Sequence, residues 1–265
     1  MTEDGRLPYD VFVDWDARLS REMPFFESLF ERVGVRRVLD VGCGSGMHAV
    51  SFAKSGLEVV GVDPSKGMLE SARANALAAE VNIRFEPGVF DDAARFAEPP
   101  FDAVLALGNG LPHVDGRSGL RSAIESLASA LRDGGGLVLH LLNHQRLADA
   151  GVRMLPPKHR STPDGDVVFV RAIDHVQDGF VFSFITLERP IVGEGEGLPF
   201  PDDIDSAPWE LHEHRSLHFA MPPALLATEL ERAGLGDVDM YGDHTGRALD
   251  QAHDESVIVV ARKGG

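Results

Sequence analysis

A mostly apolar run that leads directly into three alternating glycines constrains the fold more than any other feature of the chain. The run Val38–Val41 is followed by Gly42, Gly44 and Gly46. Its composition is that of a buried strand in a parallel sheet. The glycines let the backbone turn sharply and approach a ligand where a side chain would collide. The pattern predicts an α/β fold with a ligand beside this turn.

An acid at the end of the next apolar run indicates the kind of ligand. Asp63 follows Val59–Val62, and a carboxylate in this place can accept hydrogen bonds from vicinal ribose hydroxyls. The glycine loop and this acid together predict a nucleoside-containing cofactor. The dinucleotide pattern Gly-x-Gly-x-x-Gly is not matched, because Met47 stands where the third glycine should pack the helix against the strand.

The segment from Val35 to Leu142 alternates between strand-like and helix-like patterns, as repeated βαβ units do. Such units form a parallel sheet with right-handed crossovers. The predicted strands are Val35–Val41, Glu58–Val62, Asn82–Glu86, Ala103–Leu107 and Leu137–Leu142. The predicted helices are Leu19–Arg32, Met47–Lys54, Ser65–Ala79 and Arg117–Leu131.

The pattern changes after this parallel core. Val167–Phe184 reads as two extended segments joined by a turn at residues 177–179, which is a β-hairpin pattern. Trp209–Ala220 predicts a third strand with Leu211, Leu217 and Phe219 on one face. No crossover helix separates these segments, so we expect antiparallel strands.

The remaining segments predict a loop and a closing helix and hairpin. Gly193–Pro208 is rich in Gly, Pro, Glu and Asp, which predicts a mobile acidic loop. A helix is expected over Pro222–Arg232, followed by strands at Asp237–Tyr241 and Ser256–Ala261. The whole pattern predicts a doubly wound α/β sheet of seven strands, mostly parallel with a reversed last strand. An antiparallel β insertion is expected between the fifth strand and the last helix.

Composition and charge limit the partners and the compartment. The chain has 25 Lys and Arg against 42 Asp and Glu, a formal net charge of -17, which repels phosphate backbones and anionic membranes. We therefore expect no DNA partner and no membrane partner. The single cysteine excludes a disulfide framework and a Cys-x-x-Cys metal site. With no signal-like N-terminus, these features predict a cytoplasmic protein.

These motifs together resemble a known family. The segment Asp40-x-Gly42-x-Gly44-x-Gly46 with Asp63 resembles the first motif of the class I, Rossmann-like methyltransferases that depend on S-adenosylmethionine. The reversed final hairpin, the late β insertion and Gly108-Asn109-Gly110 followed by His113 are similar to the small-molecule N-methyltransferases of the glycine and sarcosine type. The resemblance implies S-adenosylmethionine as cofactor, S-adenosylhomocysteine as product and a small-molecule acceptor, with an amine nitrogen as the methylated atom.

The resemblance also implies a division of the chain. Residues 1–34 would form an N-terminal lid helix over the cofactor. Residues 35–143 and 221–265 would form the Rossmann-like domain that binds S-adenosylmethionine. Residues 144–220 would form the inserted β-rich substrate lid, placed at the carboxyl edge of the sheet where ligands bind.

Candidate site residues follow from the resemblance and from the chemistry of methyl transfer. The implied cofactor-binding residues are Tyr9, Trp15, Arg18, Arg21, Gly42, Cys43, Gly44, Gly46, Asp63, Pro64, Met68, Val89, Phe90, Leu107, Gly108 and Asn109. An amine acceptor must be unprotonated to react. Asn109 is therefore a candidate to orient it, and His113 and His144 are candidates to remove its proton.

Two departures from the glycine-type pattern bear on the ligands. Where related enzymes place an acid near the adenine, this chain has Val89 and Phe90, with acids at Asp91 and Asp92. Glycine enzymes also carry an arginine just before Asn-Tyr after the fifth strand. Here that stretch is Leu141-Leu142-Asn143-His144, so a bidentate carboxylate clamp is missing.

Several alternatives remain open at this point. The chain could methylate tRNA or protein, or bind the cofactor without catalysis. His212-Glu213-His214 has a spacing that can bind a metal, but no third ligand is fixed, so we expect a solvated face and no metal site. The β insertion could pair across a symmetry axis and form a homo-oligomer.

Overall fold

The computed structural model describes residues 9–190 and 209–265, which divide into two compact units. The main unit comprises residues 14–151 and 219–265, and the inserted unit comprises residues 9–13 with the described part of residues 152–218. The helices are α1 (Tyr9–Phe12), α2 (Trp15–Val33), α3 (Met47–Lys54), α4 (Lys66–Ala78), α5 (Gly116–Ala130), α6 (His144–Asp149) and α7 (Pro223–Arg232). The strands are β1 (Arg37–Val41), β2 (Glu58–Asp63), β3 (Arg84–Pro87), β4 (Phe101–Ala106), β5 (Leu131–Leu142), β6 (Met154–Thr162), β7 (Gly165–Val176), β8 (Gly179–Pro190), β9 (Glu210–Phe219), β10 (Leu235–Tyr241) and β11 (Ser256–Lys263).

The main unit is built on a seven-stranded sheet in the order β10-β11-β5-β4-β1-β2-β3. Strands β1 to β5 run parallel, whereas β11 is antiparallel to both of its neighbours. Leu39 pairs with Val60 on β2 and with Val104 on β4, so the carboxyl ends of these strands meet at one edge. The predicted mostly parallel α/β sheet with a reversed last strand is confirmed.

Both faces of this sheet are covered, which makes the fold doubly wound. Leu39 belongs to an apolar cluster with Ile124 of α5 and Leu230 of α7. Its neighbour Val38 belongs to a second cluster with Phe26 of α2, together with residues of α3 and α4. Because successive residues of a strand point to opposite faces, an apolar run without alternation is what a strand buried on both faces requires.

Local capping sets the ends of helices α2 and α4. Helix α2 begins at Trp15, earlier than predicted, because the Asp14 side chain accepts a hydrogen bond of 3.1 Å from the Ala17 backbone N–H. It ends at Gly34, which adopts a left-handed φ of 68°. Helix α4 is capped by Ser65, whose hydroxyl accepts from the Met68 N–H at 3.3 Å.

The inserted unit contains an antiparallel sheet in the order β6-β7-β8-β9. Val176 pairs with Gly179 across the turn, where Asp178 has a φ of 63°, so the predicted hairpin and third strand are confirmed. Strand β6 was not predicted, because its Pro156-Pro157-Lys158 stretch shows no alternation. The predicted acidic loop over residues 193–208 lies outside the described residues.

In the outer strand β9, the face that carries Leu211 and Leu217 is the exposed one. Leu211 and Leu217 are 63% and 64% exposed. The alternate residue His218 is buried and stacks on Phe182 with ring centroids 4.4 Å apart. The aromatic contact decides which face of the strand is covered, and sequence alternation could not show it.

The N-terminal segment is shared between the units. Phe12 of α1 packs edge-on against Phe169 and Phe184 in the inserted unit, whereas α2 packs on α3 in the main unit. The units therefore divide at residues 13/14, 151/152 and 218/219. The described part of the predicted segment 1–34 contains two helices. The lid roles of this segment and of the insertion stay predictions.

No helix among the described residues is long and apolar enough to cross a membrane.

Candidate functional site

The glycine loop connects β1 to α3 by a tight turn. Gly42, Gly44 and Gly46 all have positive φ angles, of 76°, 56° and 77°, which side chains other than glycine rarely adopt. The N–H groups of Gly42 and Cys43 donate to the Val62 carbonyl oxygen at 2.7 and 3.1 Å. The loop is therefore fixed against β2, and α3 begins immediately after it.

The space around the three glycines differs. A Cβ atom at Gly42 would lie 3.3 Å from the Phe90 ring, and one at Gly46 would lie 2.9 Å from Cβ of Ala72. A Cβ atom at Gly44 would meet no described protein atom within 4 Å. Gly44 thus marks the open side of the loop, where a ligand could lie close to the backbone.

Asp63 holds the end of β2 to the glycine loop. Its Oδ2 accepts from the Gly44 N–H at 2.9 Å, and its Oδ1 accepts from the Ser65 N–H at 2.8 Å. The side chain is buried, and burial raises its pKa against the opposing effect of these two hydrogen bonds. Each carboxylate oxygen can accept a further hydrogen bond, so the group can still receive hydroxyl donors.

Asp40 is a second carboxyl at this edge, and sequence reasoning did not include it among the site residues. It is 1% exposed, and its Oδ1 has no hydrogen-bond partner among the described residues. Burial, with the nearby charge of Asp63, raises its pKa to about 7, and Arg18 partly opposes this. A buried polar atom without a partner is costly, so Oδ1 is suited to a ligand that brings a donor or a positive charge. The signal was its place as the acid that opens the glycine motif.

The candidate residues of the N-terminal segment are placed differently from one another. The Arg18 guanidinium lies over the Trp15 ring, 5.1 Å from its centroid, and Arg18 Nε donates to Glu22 Oε1 at 2.8 Å. Trp15 also contacts the ring of His48 at the start of α3. Arg21 is exposed on the same helix. Tyr9 begins α1, and its side chain is outside the described structure.

The loop after β4 forms a second tight turn at the same edge of the sheet. Leu107 is buried, and Gly108 and Asn109 have φ angles of 76° and 66°. The Asn109 N–H donates to the His140 carbonyl oxygen at 3.1 Å, and its Oδ1 accepts from the Leu142 N–H at 2.9 Å. The side-chain oxygen therefore holds β5. A hydrogen bond from the N–H of a methyl-accepting amine to this oxygen would use the second lone pair of the oxygen.

The two candidate proton acceptors have opposite surroundings. His113 is exposed at the end of a short 3₁₀ turn, Leu111–His113. His144 is buried at the start of α6, and its Nδ1 accepts from the Met221 N–H at 3.0 Å. Burial lowers the His144 pKa to about 4. This contact gives His144 a structural role, and its burial disfavours the predicted proton transfer.

The remaining candidates differ in their contacts and exposure. Phe90 lies beside both glycine turns, since a Cβ at Gly110 would be 3.4 Å from its ring. Asp92 is engaged locally, because its Oδ2 accepts from the Val89 N–H at 3.0 Å and its Oδ1 pairs with Arg95. Val89, Pro64 and Gly108 are exposed, and Met68 is half-buried. Cys43 is also half-buried, and burial raises the pKa of its thiol far above the usual range.

Asn143 directly follows Leu142, the position where the glycine-type pattern predicts an arginine. Its Oδ1 accepts from the Arg146 N–H at 3.1 Å and caps α6. Its Nδ2 donates to the carbonyl oxygens of Gln251 and Asp254 at 3.0 and 2.9 Å. The residue is buried and fixes the segment before β11, so it is not a carboxylate clamp.

Comparisons with known proteins agree with this geometry. Residues 38–135 match the family model of a methyltransferase domain. A glycine/sarcosine N-methyltransferase of Parasynechococcus marenigrum (strain WH8102) is 32% identical over 185 residues, which are 69% of this chain and 65% of that protein. A putative methyltransferase of Geobacillus sp. (strain WCH70) is 28% identical over 97% of this chain and 100% of its own length.

A solved structure extends the likeness to the fold. An S-adenosylmethionine-dependent methyltransferase from Clostridium acetobutylicum ATCC 824 has a TM-score of 0.75, over 96% of this chain and 93% of that chain, at 13% identity. At this identity the likeness shows the fold alone. The match to the glycine/sarcosine enzyme spans just under two thirds of that relative, at 65% of its length.

Proposed function

We propose that the chain transfers a methyl group from S-adenosylmethionine to a small-molecule amine, and the match of residues 38–135 to a methyltransferase domain supports this proposal. The observation that carries the proposal is the arrangement of the glycine loop with Asp63 and Asp40. Gly44 has open space beside its backbone and donates its N–H to Asp63, a carboxylate with spare acceptor capacity. Asp40 adds a buried Oδ1 that has no hydrogen-bond partner among the described residues.

The residues present fit the chemical groups of the cofactor. Asp63 can accept hydrogen bonds from ribose hydroxyls. The buried Oδ1 of Asp40 suits the ammonium group of the methionyl part, which would satisfy it with a positive charge. Arg18, held by Glu22, is suited to the methionyl carboxylate.

The chemistry asks the protein mainly for alignment. S-adenosylmethionine supplies a methyl group already activated on a sulfonium. The chain then has to hold the acceptor nitrogen in line and exclude water, and such positioning can provide most of the acceleration. Leu107 offers a buried apolar wall at the turn. His113 is the better candidate to take the amine proton, because it is exposed whereas the His144 Nδ1 already accepts from Met221.

The acceptor we propose is an amine without the carboxylate of glycine. The relative that matches over much of this chain is named for glycine and sarcosine, but Leu142 and Asn143 occupy the stretch where an arginine would be needed. A chain with net charge -17 also favours cationic or neutral acceptors over anionic ones.

Cofactor binding is the first test. We expect S-adenosylhomocysteine to raise the melting temperature, by RT ln(1 + [L]/Kd) in free energy. Asp63→Asn should weaken its binding at least tenfold in calorimetry, because the amide loses acceptor capacity at the ribose site. Glu70→Gln is the matched control, since Glu70 is exposed on α4 and should leave binding unchanged. A folded wild-type chain that S-adenosylhomocysteine does not stabilise would contradict the proposal.

The acceptor class is the second test. A panel of primary and secondary amines, with glycine included, is incubated with cofactor carrying a labelled methyl group. We expect transfer to an amine that lacks an α-carboxylate, and slower transfer to glycine. Transfer confined to bulk tRNA or to protein would retain the methyltransferase activity and exclude the small-molecule acceptor.

A further inference from the structure

A glutamate and three histidines from four separate segments meet beneath helix α2. Glu22 comes from α2, His48 from α3, His140 from β5, and His244 from the segment between β10 and β11. We refer to these four residues as the Glu22 cluster. All four belong to the main unit. The proposed methyl transfer uses Glu22 only to hold Arg18, and it assigns no role to the three histidines.

Three members of the Glu22 cluster present their donor atoms to a common point. One carboxylate oxygen of Glu22 and one ring nitrogen each from His140 and His244 lie within 4.8 Å of one another. Glu22 Oε2 is 3.9 Å from His244 Nε2. Donors on a tetrahedral zinc ion lie about 3.3 Å apart, given metal–ligand bonds of about 2.0–2.1 Å. Small side-chain adjustments would therefore bring this set to coordination distances.

Two of the histidine nitrogens have no other use in the described structure. His140 Nδ1 and His244 Nε2 are buried and have no hydrogen-bond partner among the described residues. The two rings lie edge to face, with centroids 5.0 Å apart. Buried imidazole nitrogens without partners are rare in stable proteins. Two of them facing one carboxylate suggest that something else satisfies them.

The carboxylate is oriented by two further contacts. His48 Nε2 is hydrogen-bonded to Glu22 Oε2 at 2.7 Å, and Arg18 Nε donates to Oε1 at 2.8 Å. Ligating groups in metal sites are commonly fixed by such outer hydrogen bonds. The Arg18 charge opposes a cation, but Arg18 pairs with Oε1, whereas Oε2 is the oxygen nearest His244.

The protonation states of Glu22, His140 and His244 also suit metal binding. Burial lowers the pKa of His140 to about 3, and it lowers the pKa of His244 below its ordinary value. Burial acts to raise the pKa of Glu22, but the His48 hydrogen bond and the Arg18 charge outweigh it and hold the pKa well below the usual range. At neutral pH the set is two neutral imidazoles and one carboxylate, which are metal-binding forms.

We propose that Glu22, His140 and His244 bind a divalent first-row transition metal ion, with His48 and Arg18 positioning the Glu22 carboxylate. Imidazole and carboxylate donors suit ions such as Zn²⁺, and three protein ligands leave a position for water. The ion would join α2, β5 and the β10–β11 segment. This site is distinct from His212-Glu213-His214, which belongs to the inserted unit and supplies no grouped third donor in the described part of the chain.

The test measures metal binding directly, without cofactor. Chain prepared without a polyhistidine tag is stripped with chelator and titrated with Co²⁺, whose visible absorption reports imidazole and carboxylate ligands, and then with Zn²⁺. We expect one Co²⁺ per chain, displaced by Zn²⁺. His244→Gln should weaken binding at least tenfold. His212→Gln is the matched control, because it alters the other candidate histidine pair, and it should bind as the wild type does.

Two results would overturn this site. The first is a wild-type chain without stoichiometric Co²⁺ absorption, which would mean that the cluster is only a buried hydrogen-bond network. The second is loss of Co²⁺ binding in His212→Gln with retention in His244→Gln, which would place the metal elsewhere. If His244→Gln does not fold, X-ray absorption of the zinc-loaded wild type decides, and two imidazoles with oxygen ligands are expected. S-adenosylhomocysteine binding by the same protein tests the proposed function separately.

Discussion

Asp40 and Asp63 lie at the ends of adjacent strands, yet their surroundings differ. Asp63 accepts two backbone N–H groups, whereas Oδ1 of Asp40 has no partner among the described residues. Burial raises the pKa of both carboxyls, and that of Asp40 reaches about 7. Near neutral pH, Asp40 can therefore change charge while the chain remains folded, and a bound cationic group would favour its ionised form.

This difference gives a prediction for Asp40→Asn in the absence of cofactor. The folded pKa of Asp40 exceeds its unfolded value of 3.8, so the folded chain binds more protons between these two values. Stability contributed by this group therefore falls as pH rises from about 4 to about 7, by at most about 1.4 kcal/mol per unit of pKa shift. The uncharged amide removes this dependence. We expect melting temperatures from pH 4.5 to 8 to fall less in the variant than in the wild type.

The same variant should lose the proposed ammonium contact. Calorimetry with S-adenosylmethionine should show at least tenfold weaker binding, since a hydrogen bond to a charged group contributes about 1.5–3 kcal/mol. Asp149→Asn, an exposed residue on α6, serves as control. Equal pH dependence in Asp40→Asn and wild type would mean that Asp40 is not the group that titrates.

At the scale of elements, the sequence could predict what local patterns decide. The run through Val41 and the glycines after it placed β1, the glycine loop and α3 correctly, because these features act over a few residues. Strand β6 and the covered face of β9 depend on partners distant in sequence, such as Phe182 against His218. The Glu22 cluster could not be predicted for the same reason, since Glu22 and His244 are 222 positions apart in the sequence.

A buried glutamate joins helices α5 and α7. Glu229 is 1% exposed, and its two carboxylate oxygens pair with Arg117 Nε at 2.7 Å and Arg121 Nε at 3.2 Å. Burial acts to raise the Glu229 pKa, but these two arginines outweigh it and lower the pKa overall. A carboxylate held in this way joins α7 to α5. Glu229 is far in sequence from the residues that would contact the cofactor.

We expect Glu229→Gln to destabilise the chain by about 1.5–3 kcal/mol at pH 7, because charge-assisted hydrogen bonds are lost. Urea unfolding measures the change. Since the folded pKa is depressed, the wild-type advantage is present above the unfolded pKa and is lost as pH falls through the folded pKa. Glu231→Gln, exposed on the same helix, should change stability by no more than about 0.5 kcal/mol. Equal losses in both variants would show that the arginine contacts are not the cause.

At the scale of the whole molecule, the chain combines two units under a large negative charge. The proposed cofactor residues lie in the main unit, except Tyr9 of α1, which belongs to the inserted unit. The predicted substrate lid is assigned to the insertion. The net charge of -17 is distributed over 265 residues. Charge of one sign opposes compactness by self-repulsion, and the described ion pairs are mostly at the surface, where each contributes little.

Salt weakens both charge repulsion and ion pairing, but weaker repulsion stabilises the fold whereas weaker ion pairs destabilise it. The change of melting temperature with salt therefore measures the balance of the two. Raising NaCl from about 10 mM to about 150 mM shortens the screening length from about 30 Å to about 8 Å. Long-range repulsion is then reduced more than short contacts such as Arg117 with Glu229. We expect melting temperatures at pH 7.5 to rise by a few degrees, with each unit followed if two transitions are resolved. At pH 5, near the isoelectric point of about 5.0, the net charge is small and the increase should disappear. A salt-induced decrease at pH 7.5 would instead show that ion pairs outweigh the net repulsion.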